Sequence, residues 1–217
     1  MNLSQPLWHW EVVSPEGWEV LDAIQSLQFS PQFYLAGGTG LALLLGHRHS
    51  YDFDFFSTEE FQEETILHRL QNLEGCTIEM KERETLHLTV HGVKVSFLGY
   101  HYPLLFPTNL LSFAYGSSVP IADIRDIACM KISAISSRGT KRDFVDLYMI
   151  AQEYNVSELL TLFDKKFSKT SYNRVHLLKA LVYFVDAEIE PMPKMLHPLD
   201  WEKVKKFFLD MIPTLLK

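Results

Sequence analysis

The spacing of hydrophobic residues changes several times in the first third of the chain, and each spacing indicates a different element. Ser14 and Pro15 open a helix predicted to run to about Leu27, with Ser14 as its N-cap and Pro15 in its first turn. The apolar residues 33–36 fit either a buried strand or the lead-in to the next helix. Residues 40–46 are apolar on every side, which indicates a helix that is buried all round.

Strand-like alternation follows in two places. Residues 51–56 alternate aromatic and acidic side chains with the period of two that a strand requires. Between residues 85 and 100, two alternating apolar runs are separated by a His-Gly pair, which predicts a β-hairpin. A helix is predicted between these segments over about 59–73, with Ser57 or Thr58 as its cap.

Beyond Pro120 the apolar spacing becomes helical. One helix is predicted after Asp123 as its cap, and a second begins near Thr140. Three further helices are predicted: 159–163, 175–185 and 201–212. The chain is therefore expected to have an α+β amino-terminal half, residues 1–120, and a mostly helical carboxy-terminal half, residues 121–217.

Composition and charge narrow the class of protein. The 217 residues are 47% apolar and 22% charged, which is typical of an ordinary globular chain. The net charge of -7 argues against a nucleic-acid binder held by a generally basic surface. Cys76 and Cys129 form no CxxC motif and predict no disulfide framework. The longest apolar run, residues 41–45, ends at Gly46, and no export signal precedes it, so we expect a cytoplasmic protein that does not cross a membrane.

The first candidate site is the sequence Gly37-Gly38-Thr39, which directly precedes a predicted helix. Helix N-termini bind anions through unpaired N–H groups and the helix dipole, and glycines let the backbone come close to a phosphate. The alternative is a tight turn packed against a neighbouring segment. Neither of the standard phosphate-loop or dinucleotide-binding motifs is present.

The second candidate site is the pair Asp52 and Asp54. Residues two apart in a strand point to the same face, so both carboxylates could share a hard cation such as Mg²⁺. The alternative is a pair of solvated acids on an edge strand. Aromatic residues at 51, 53, 55 and 56 predict that at least one face of this strand is deeply buried, which favours the metal site.

Two blocks together resemble the nucleotidyltransferase superfamily related to DNA polymerase beta, and within it the AbiEii/AbiGii toxin-like nucleotidyltransferases. The first block contains Gly37-Gly38-Thr39, a helix, Arg48, Ser50 and Asp52-x-Asp54. The second block contains Asp126-Ile127-Ala128-Cys129-Met130-Lys131, followed by Ser137-Arg138-Gly139-Thr140-Lys141-Arg142-Asp143-Phe144-Val145-Asp146-Leu147. The resemblance extends over about residues 30–150, and the two blocks in this order are more specific than either alone.

The resemblance implies a nucleotidyltransferase fold: a small mixed β-sheet flanked by helices, followed by a helical region that contributes to the active site. It implies transfer of a nucleoside monophosphate from a nucleoside triphosphate to an acceptor hydroxyl on RNA, by analogy the end of a tRNA. It also implies the toxin half of a toxin–antitoxin pair, with a cognate antitoxin protein as partner. The catalytic residues it implies are Asp52, Asp54, Lys131 and Asp143, with Mg²⁺, or Mn²⁺ in its place, on Asp52 and Asp54. The nucleotide-binding residues it implies are Gly37, Gly38, Thr39, Arg48, Ser50, Lys131 and Arg142.

Several residues of the second block have two interpretations. Lys131 lies in an apolar stretch and is either a solvent-facing helix lysine or a phosphate contact. Asp143 and Asp146 share a helix face, where they are either favourable first-turn charges or a base, an orienting group or an additional metal ligand. One basic cluster is adjacent and could steer an RNA acceptor or the triphosphate: Lys131, Arg138, Lys141 and Arg142. Other lysines, including Lys165 and Lys166, are interpreted as solvated helix faces.

Ser96 departs from the wider superfamily, in which a later strand commonly adds a third carboxylate. The serine occupies the position where that acid is expected. Either one metal suffices, or Asp143 or Asp146 supplies the acid, or the protein binds nucleotide without transferring it. The last case would make the chain a nucleotide-binding or interaction module. A transferase that modifies a protein hydroxyl would use the same site residues.

Overall fold

The computed structural model describes residues 7–26, 32–70, 73–113 and 118–215 of the chain. Contacts divide the chain into two compact units, residues 1–123 and 124–217. The first unit is α+β and the second is helical. The division predicted after residue 120 falls inside the last strand of the first unit.

Helices and strands alternate at the start of the first unit, and strands dominate its second half. The helices are α1 (Pro15–Ser26), α2 (Gly37–Leu45) and α3 (Glu63–Leu70). The strands are β1 (Phe33–Leu35), β2 (Phe53–Ser57), β3 (Cys76–Glu82), β4 (Thr85–Val90), β5 (Val93–Gly99), β6 (Asn109–Ser112) and β7 (Ser118–Ile121).

These strands form one mixed seven-stranded sheet in the order β3-β4-β5-β2-β1-β7-β6. Strand β2 is antiparallel to β1 and parallel to β5, while β1 is parallel to β7. The pairs β3–β4, β4–β5 and β6–β7 are antiparallel. The predicted mixed sheet flanked by helices is confirmed.

The sheet has an apolar face and a polar face. On the apolar face, strands β2, β4 and β5 bury alternate side chains: Phe53, Phe55, Leu86, Leu88, Val95 and Phe97. Helix α1 packs on this face, since a Cβ built on Gly17 would lie 3.6 Å from the ring of Phe53. The alternate positions Asp54, Ser96 and His87 therefore lie on the opposite face, as the period of two requires.

Two helix starts differ from the prediction. Helix α2 begins at Gly37, so the two glycines belong to its first turn and do not precede it. Helix α3 begins only at Glu63, because Ser57 closes a turn in front of it: its hydroxyl donates to the Glu59 carbonyl (2.7 Å) and accepts from the Glu59 N–H (3.1 Å). The predicted end of α1 at Leu27 lies outside the described residues, as do residues 71–72 near the predicted end of α3.

Three strands had no signal in the sequence pattern. Strand β3 is exposed at all positions but its first, so no hydrophobic alternation marks it. Strands β6 and β7 are only four residues long each. All three form because a neighbouring strand offers hydrogen-bonding partners, and a sequence pattern does not record such pairing.

The second unit consists of helices in its described part. They are α4 (Ile124–Ser137), α5 (Lys141–Ile150), α6 (Val156–Lys166), α7 (Arg174–Ala180), α8 (Val185–Glu188) and α9 (Trp201–Leu215). The predicted helix 175–185 is broken into α7 and α8. The break brings Phe184 against Phe144 (ring centroids 5.0 Å apart) and Trp201 (5.8 Å). No helix of the described part is long and apolar enough to span a membrane.

A buried ion pair joins α4 to α6. Lys166 Nζ lies 2.7 Å from Asp126 Oδ1, and both side chains are fully buried. The interpretation of Lys166 as a solvated lysine is therefore wrong. Charges leave water only when they are paired and hydrogen-bonded, so each of these residues depends on the other.

Replacing Lys166 alone should strongly destabilise the protein. In Lys166→Met the Asp126 carboxylate loses its cation inside the unit, and we expect the free energy of unfolding to fall by about 3–5 kcal/mol. The double variant Asp126→Leu/Lys166→Met, which removes both charges, should recover most of that loss. Urea unfolding measures both, and a single variant as stable as the wild type would contradict the structural role of the pair.

Candidate active site

The amino-terminal site residues are gathered at the first turn of α2. The Ala36 N–H donates to the Asp54 carbonyl (3.1 Å), which joins the end of β1 to the middle of β2. The Gly40 N–H makes the first helical hydrogen bond, to the Ala36 carbonyl (3.0 Å). The preceding N–H groups, at residues 37–39, are those that have no acceptor within a helix and that bind anions at helix N-termini.

Both glycines are required by close neighbours. Gly37 has a positive φ of 62°, and a Cβ there would lie 3.0 Å from Asp54 Oδ2. A Cβ on Gly38 would lie 2.5 Å from Arg48 Nη2 and 3.3 Å from Ser50 Oγ. The backbone of the turn therefore lies between a carboxylate and a guanidinium. A tight turn that only packs against a neighbouring segment would not require these two charged neighbours.

The loop that follows α2 is held against the helix by hydroxyl groups. The Thr39 hydroxyl is hydrogen-bonded to the Ser50 hydroxyl (2.7 Å) and to the Asp52 carbonyl, and Thr39 and Ser50 are buried. Arg48 is also buried, and its Nη1 donates to the His49 carbonyl (3.0 Å). Since the Thr39 hydroxyl is already hydrogen-bonded within the loop, we expect a phosphate to bind the backbone N–H of Thr39 and not its side chain.

Asp52 and Asp54 lie near the glycine turn, as the sequence predicted. Asp54 is half-buried in β2, between the buried residues Phe53 and Phe55, and Asp52 is a half-buried residue immediately before the strand. Within the described part of the chain, no three His, Cys, Asp or Glu residues are close enough to hold a metal ion. The described protein groups therefore offer a pair of carboxylates and no complete cage.

Strand β5 places a hydroxyl where a third acid would be. Ser96 is the direct register partner of Asp54 across the parallel β2–β5 pair. On its other side it is the register partner of His87 in β4, and Ser96 Oγ lies 3.0 Å from His87 Nδ1. Ser96, the residue that differs from the superfamily pattern, therefore lies directly beside Asp54, the candidate metal-binding acid.

The carboxy-terminal site residues form a separate cluster within the helical unit. Lys131 Nζ on α4 lies 2.9 Å from Asp143 Oδ1 and 2.6 Å from Asp146 Oδ2 on α5. The Lys131 side chain is 7% exposed, and those of Asp143 and Asp146 are 1% and 0% exposed. The interpretation of Lys131 as a solvent-facing lysine is therefore wrong.

Asp143 is surrounded by hydrogen-bond donors in addition to Lys131. It accepts hydrogen bonds from Arg138 Nε (3.0 Å) and Nη2 (3.2 Å) and from the Thr140 hydroxyl (2.7 Å). Thr140 is the N-cap of α5, which begins where the sequence predicted a helix start. Burial raises the pKa of Asp143, but the charges and hydrogen bonds of Lys131, Arg138 and Thr140 together lower it to about 2. A carboxylate so stabilised is a weak proton acceptor, so the geometry favours an orienting role over a general base.

Comparison with known proteins identifies the family. The sequence model of the family described as nucleotidyl transferase AbiEii toxin, Type IV TA system, matches residues 19–104 and 102–215. The chain belongs to the AbiEii nucleotidyl transferase toxin family. It is accordingly a nucleotidyltransferase, and the predicted resemblance is confirmed.

Individual relatives agree with the family assignment. An uncharacterized protein of Aquifex aeolicus strain VF5, aq_aa25, is 37% identical over 194 residues, which cover 88% of this chain and 91% of that protein. The fold is similar to that of MenT4, the nucleotidyltransferase toxin Rv2826c from Mycobacterium tuberculosis H37Rv, with a TM-score of 0.59, 18% identity, and coverage of 90% of this chain and 82% of that chain. It is also similar to JHP933 from Helicobacter pylori, with a TM-score of 0.54, 19% identity, and coverage of 94% and 93%.

The predicted basic cluster of this AbiEii family member is not a solvent-facing surface. Lys131 is buried between two carboxylates, and the buried Lys141 donates to the Glu190 carbonyl (2.6 Å) with its Nζ 5.1 Å from the centre of the Trp201 ring. Only Arg138 and Arg142 of the four side chains are exposed. Arg138 is also bound to Asp143, so the prediction that the four cations together steer a substrate is wrong.

One polar residue beside the site, His87, was missed by the sequence reasoning. A signal was available: pairing across the turn between β4 and β5 sets Val90 opposite Val93, and the same register sets His87 opposite Ser96. The alternation that buries Leu86 and Leu88 also points His87 to the polar face. The position of Asp54 in the same row required the β2–β5 pairing, which joins distant segments of the chain.

The Asp143 cluster should make stability depend on pH in the acid range. The folded-state pKa of about 2 lies below the ordinary 3.8, so the contribution of Asp143 is complete above about pH 4 and is lost as the pH falls towards 2. The loss should amount to about 2 kcal/mol. Urea unfolding between about pH 5 and pH 2.5 should show a smaller decrease for Asp143→Asn than for the wild type. Equal decreases would contradict the role assigned to the cluster.

The glycine turn can be tested through nucleotide binding. The Gly38→Val variant should displace Arg48 and block the backbone from a phosphate, so we expect triphosphate affinity to fall about 10-fold or more, a change of about 1.4 kcal/mol. Isothermal titration calorimetry with a non-hydrolysable triphosphate measures it. Gly92→Ala controls for backbone strain, because Gly92 has open space around a new Cβ but a positive φ of 83° that disfavours any side chain. Unchanged affinity in Gly38→Val would contradict the phosphate-binding turn.

Proposed function

We propose that this AbiEii family member transfers a nucleoside monophosphate from a nucleoside triphosphate to an acceptor hydroxyl on RNA and releases pyrophosphate. The observation that carries the proposal is the close approach of the α2 turn to the acid of β2, where a Cβ on Gly37 would lie 3.0 Å from Asp54 Oδ2. This approach supports the proposal, because phosphoryl transfer needs a phosphate-binding backbone and a cation-binding carboxylate close together.

The residues fit Mg²⁺, with Mn²⁺ as the alternative. Mg²⁺ in phosphoryl-transfer enzymes takes one or two protein carboxylates and completes its shell with phosphate oxygens and water. Asp52 and Asp54 supply such a pair, and Gly37 leaves space beside Asp54 that any side chain would fill. When bound, the ion would neutralise charge on the phosphates during transfer.

The chain itself binds and orients the triphosphate. The N–H groups of Gly37, Gly38 and Thr39 at the positive end of α2 hold phosphate oxygens. Arg48 adds a positive charge beside Gly38, and Ser50 and Thr39 fix the loop that carries it. Phosphoryl transfer requires mainly such positioning and charge, so no covalent nucleophile is needed.

The roles proposed for the second cluster follow the family resemblance. Lys131 contacts phosphate and Asp143 orients the reacting groups, with Arg142 as an exposed cation for the nucleotide. The two carboxylates around Lys131 fix the position of its ammonium group. The low pKa of Asp143 supports orientation, because a group that resists protonation is a poor general base.

The partners proposed are the triphosphate, an RNA acceptor with tRNA as the first candidate, and a cognate antitoxin protein. Support for the antitoxin is the family description as the toxin of a Type IV TA system. A protein hydroxyl is the alternative acceptor, because the site residues described above are common to both reactions. Label transfer with RNA and cell protein both present separates the two.

The test is label transfer by the purified full-length protein. It is incubated with Mg²⁺ or Mn²⁺, each α-labelled nucleoside triphosphate in turn, total RNA and cell protein. We expect label in the RNA fraction that depends on added metal. Label in the protein fraction would support the alternative, a protein hydroxyl as acceptor. The absence of label from both fractions would contradict the proposed transfer.

Asp54→Ala should abolish this transfer without harming the fold. Asp54 is one of the two carboxylates proposed to hold the cation, so its removal should stop label transfer, while far-UV circular dichroism should show the wild-type helix and strand content. Asp22→Ala, which removes an exposed acid on α1, is the matched control and should transfer label at the wild-type rate. A sharply lowered melting temperature in Asp54→Ala would show a structural aspartate instead.

A further inference from the structure

A row of polar side chains crosses three strands beside the proposed metal site. Strand register sets Asp54 of β2 opposite Ser96 of β5, and Ser96 opposite His87 of β4. All three side chains are half-buried and lie on the polar face of the sheet. Residues directly opposite across a strand pair are near neighbours, so this row connects the proposed cation-binding acid to an imidazole.

The imidazole is held in place by its neighbours. His87 Nδ1 lies 3.0 Å from Ser96 Oγ, and a hydrogen bond at one ring nitrogen sets the orientation of the ring and leaves the other nitrogen to act elsewhere. The flanking residues Leu86 and Leu88 are buried on the apolar face and anchor the strand on both sides of the histidine. Functional side chains are typically held in position by packing and hydrogen bonds of this kind.

The spacing suits a substrate hydroxyl. Adjacent strands lie about 4.8 Å apart, so the backbones of Asp54 and His87 are separated by roughly 10 Å. The position between them carries serine, a small side chain. An acceptor hydroxyl that approaches a phosphate beside Asp54 from the side away from the glycine turn would come towards His87.

We propose that His87, oriented by Ser96, takes the proton from the acceptor hydroxyl, an inference that rests on the proposed function. The acceptor O–H bond breaks and its proton moves to the outer ring nitrogen of His87. The acceptor oxygen forms a bond to the α-phosphorus, and the bond from that phosphorus to the pyrophosphate oxygen breaks with its electron pair. His87 then releases the proton to solvent. The Ser96–His87 pair thereby replaces the acid that is absent from β5.

The charges around His87 allow this role. On the same face the charged neighbours are Glu79 and Glu82 of β3, Lys94 of β5 and Asp54 of β2, where Glu79 is tied to the Thr89 hydroxyl. Helix α1 packs on the other face of the sheet, against Phe53. A histidine ring nitrogen can accept and then release a proton, which suits a general base better than a carboxylate that holds a cation.

The first experiment is the pH dependence of transfer by His87→Gln. We expect kcat to fall about 10²- to 10⁴-fold while calorimetry shows unchanged triphosphate affinity. A base must be deprotonated to act, so the wild-type rate should fall on the acid side, and this limb should be absent in His87→Gln. His68→Gln, which changes an exposed histidine on α3, should behave as the wild type.

The second experiment is a rescue. Adding Ser96→Asp to His87→Gln places a carboxylate opposite Asp54, and we expect part of the rate to return with the acid limb at lower pH. An unchanged rate and pH profile in His87→Gln would overturn the inference while leaving the proposed function intact. A rate loss that is equal at every pH and accompanied by a lower melting temperature would show a structural histidine. A wild-type protein without any transfer would contradict the proposed function, and the inference with it.

Discussion

The close approach of the α2 backbone to two opposite charges is the constraint on which the amino-terminal site depends. Gly37 must take a positive φ with Asp54 Oδ2 beside it, and Gly38 must leave room for Arg48. This arrangement holds only because β1 pairs with β2 and the Ala36 N–H is bonded to the Asp54 carbonyl. The two glycines, the β1–β2 pairing and the buried Thr39–Ser50 contact are thus all needed to hold the α2 backbone close to Asp54 and Arg48.

The helical unit has a different constraint: each of its buried charged side chains needs a partner of opposite charge or a hydrogen-bonding group. Lys131, Lys141 and Lys166 are all buried, and each has carboxylates or carbonyl oxygens around its ammonium group. Buried charges are tolerated only with such partners, so these contacts join α4 to α5 and α6, and α5 to the segment at the end of α8. The same principle explains why Asp143, enclosed by Lys131, Arg138 and Thr140, has a pKa of about 2.

Membership of the AbiEii family and the geometry around Asp54 lead to the same chemistry by separate routes. The family assignment rests on a match along most of the chain. The geometry sets the glycine-containing first turn of α2 next to Asp54, with Ser96 and His87 in the same row of the sheet. In the proposed function, two acids would leave the metal's coordination to be completed by phosphate oxygens and water.

The sequence by itself determined the features that depend on neighbouring residues. These include the Ser14 and Thr140 helix starts, the β4–β5 hairpin, and the burial of Phe53 and Phe55 around Asp54, because caps, turns and alternation act over a few residues. Tertiary structure decided the rest: the exposed strand β3, the extension of α2 back to Gly37, and the ion pair that buries Lys166. The Asp54–Ser96–His87 row belongs to this second group. Its members come from three strands, and only the pairing of β2 with β5, across a long stretch of chain, brings the acid beside the other two.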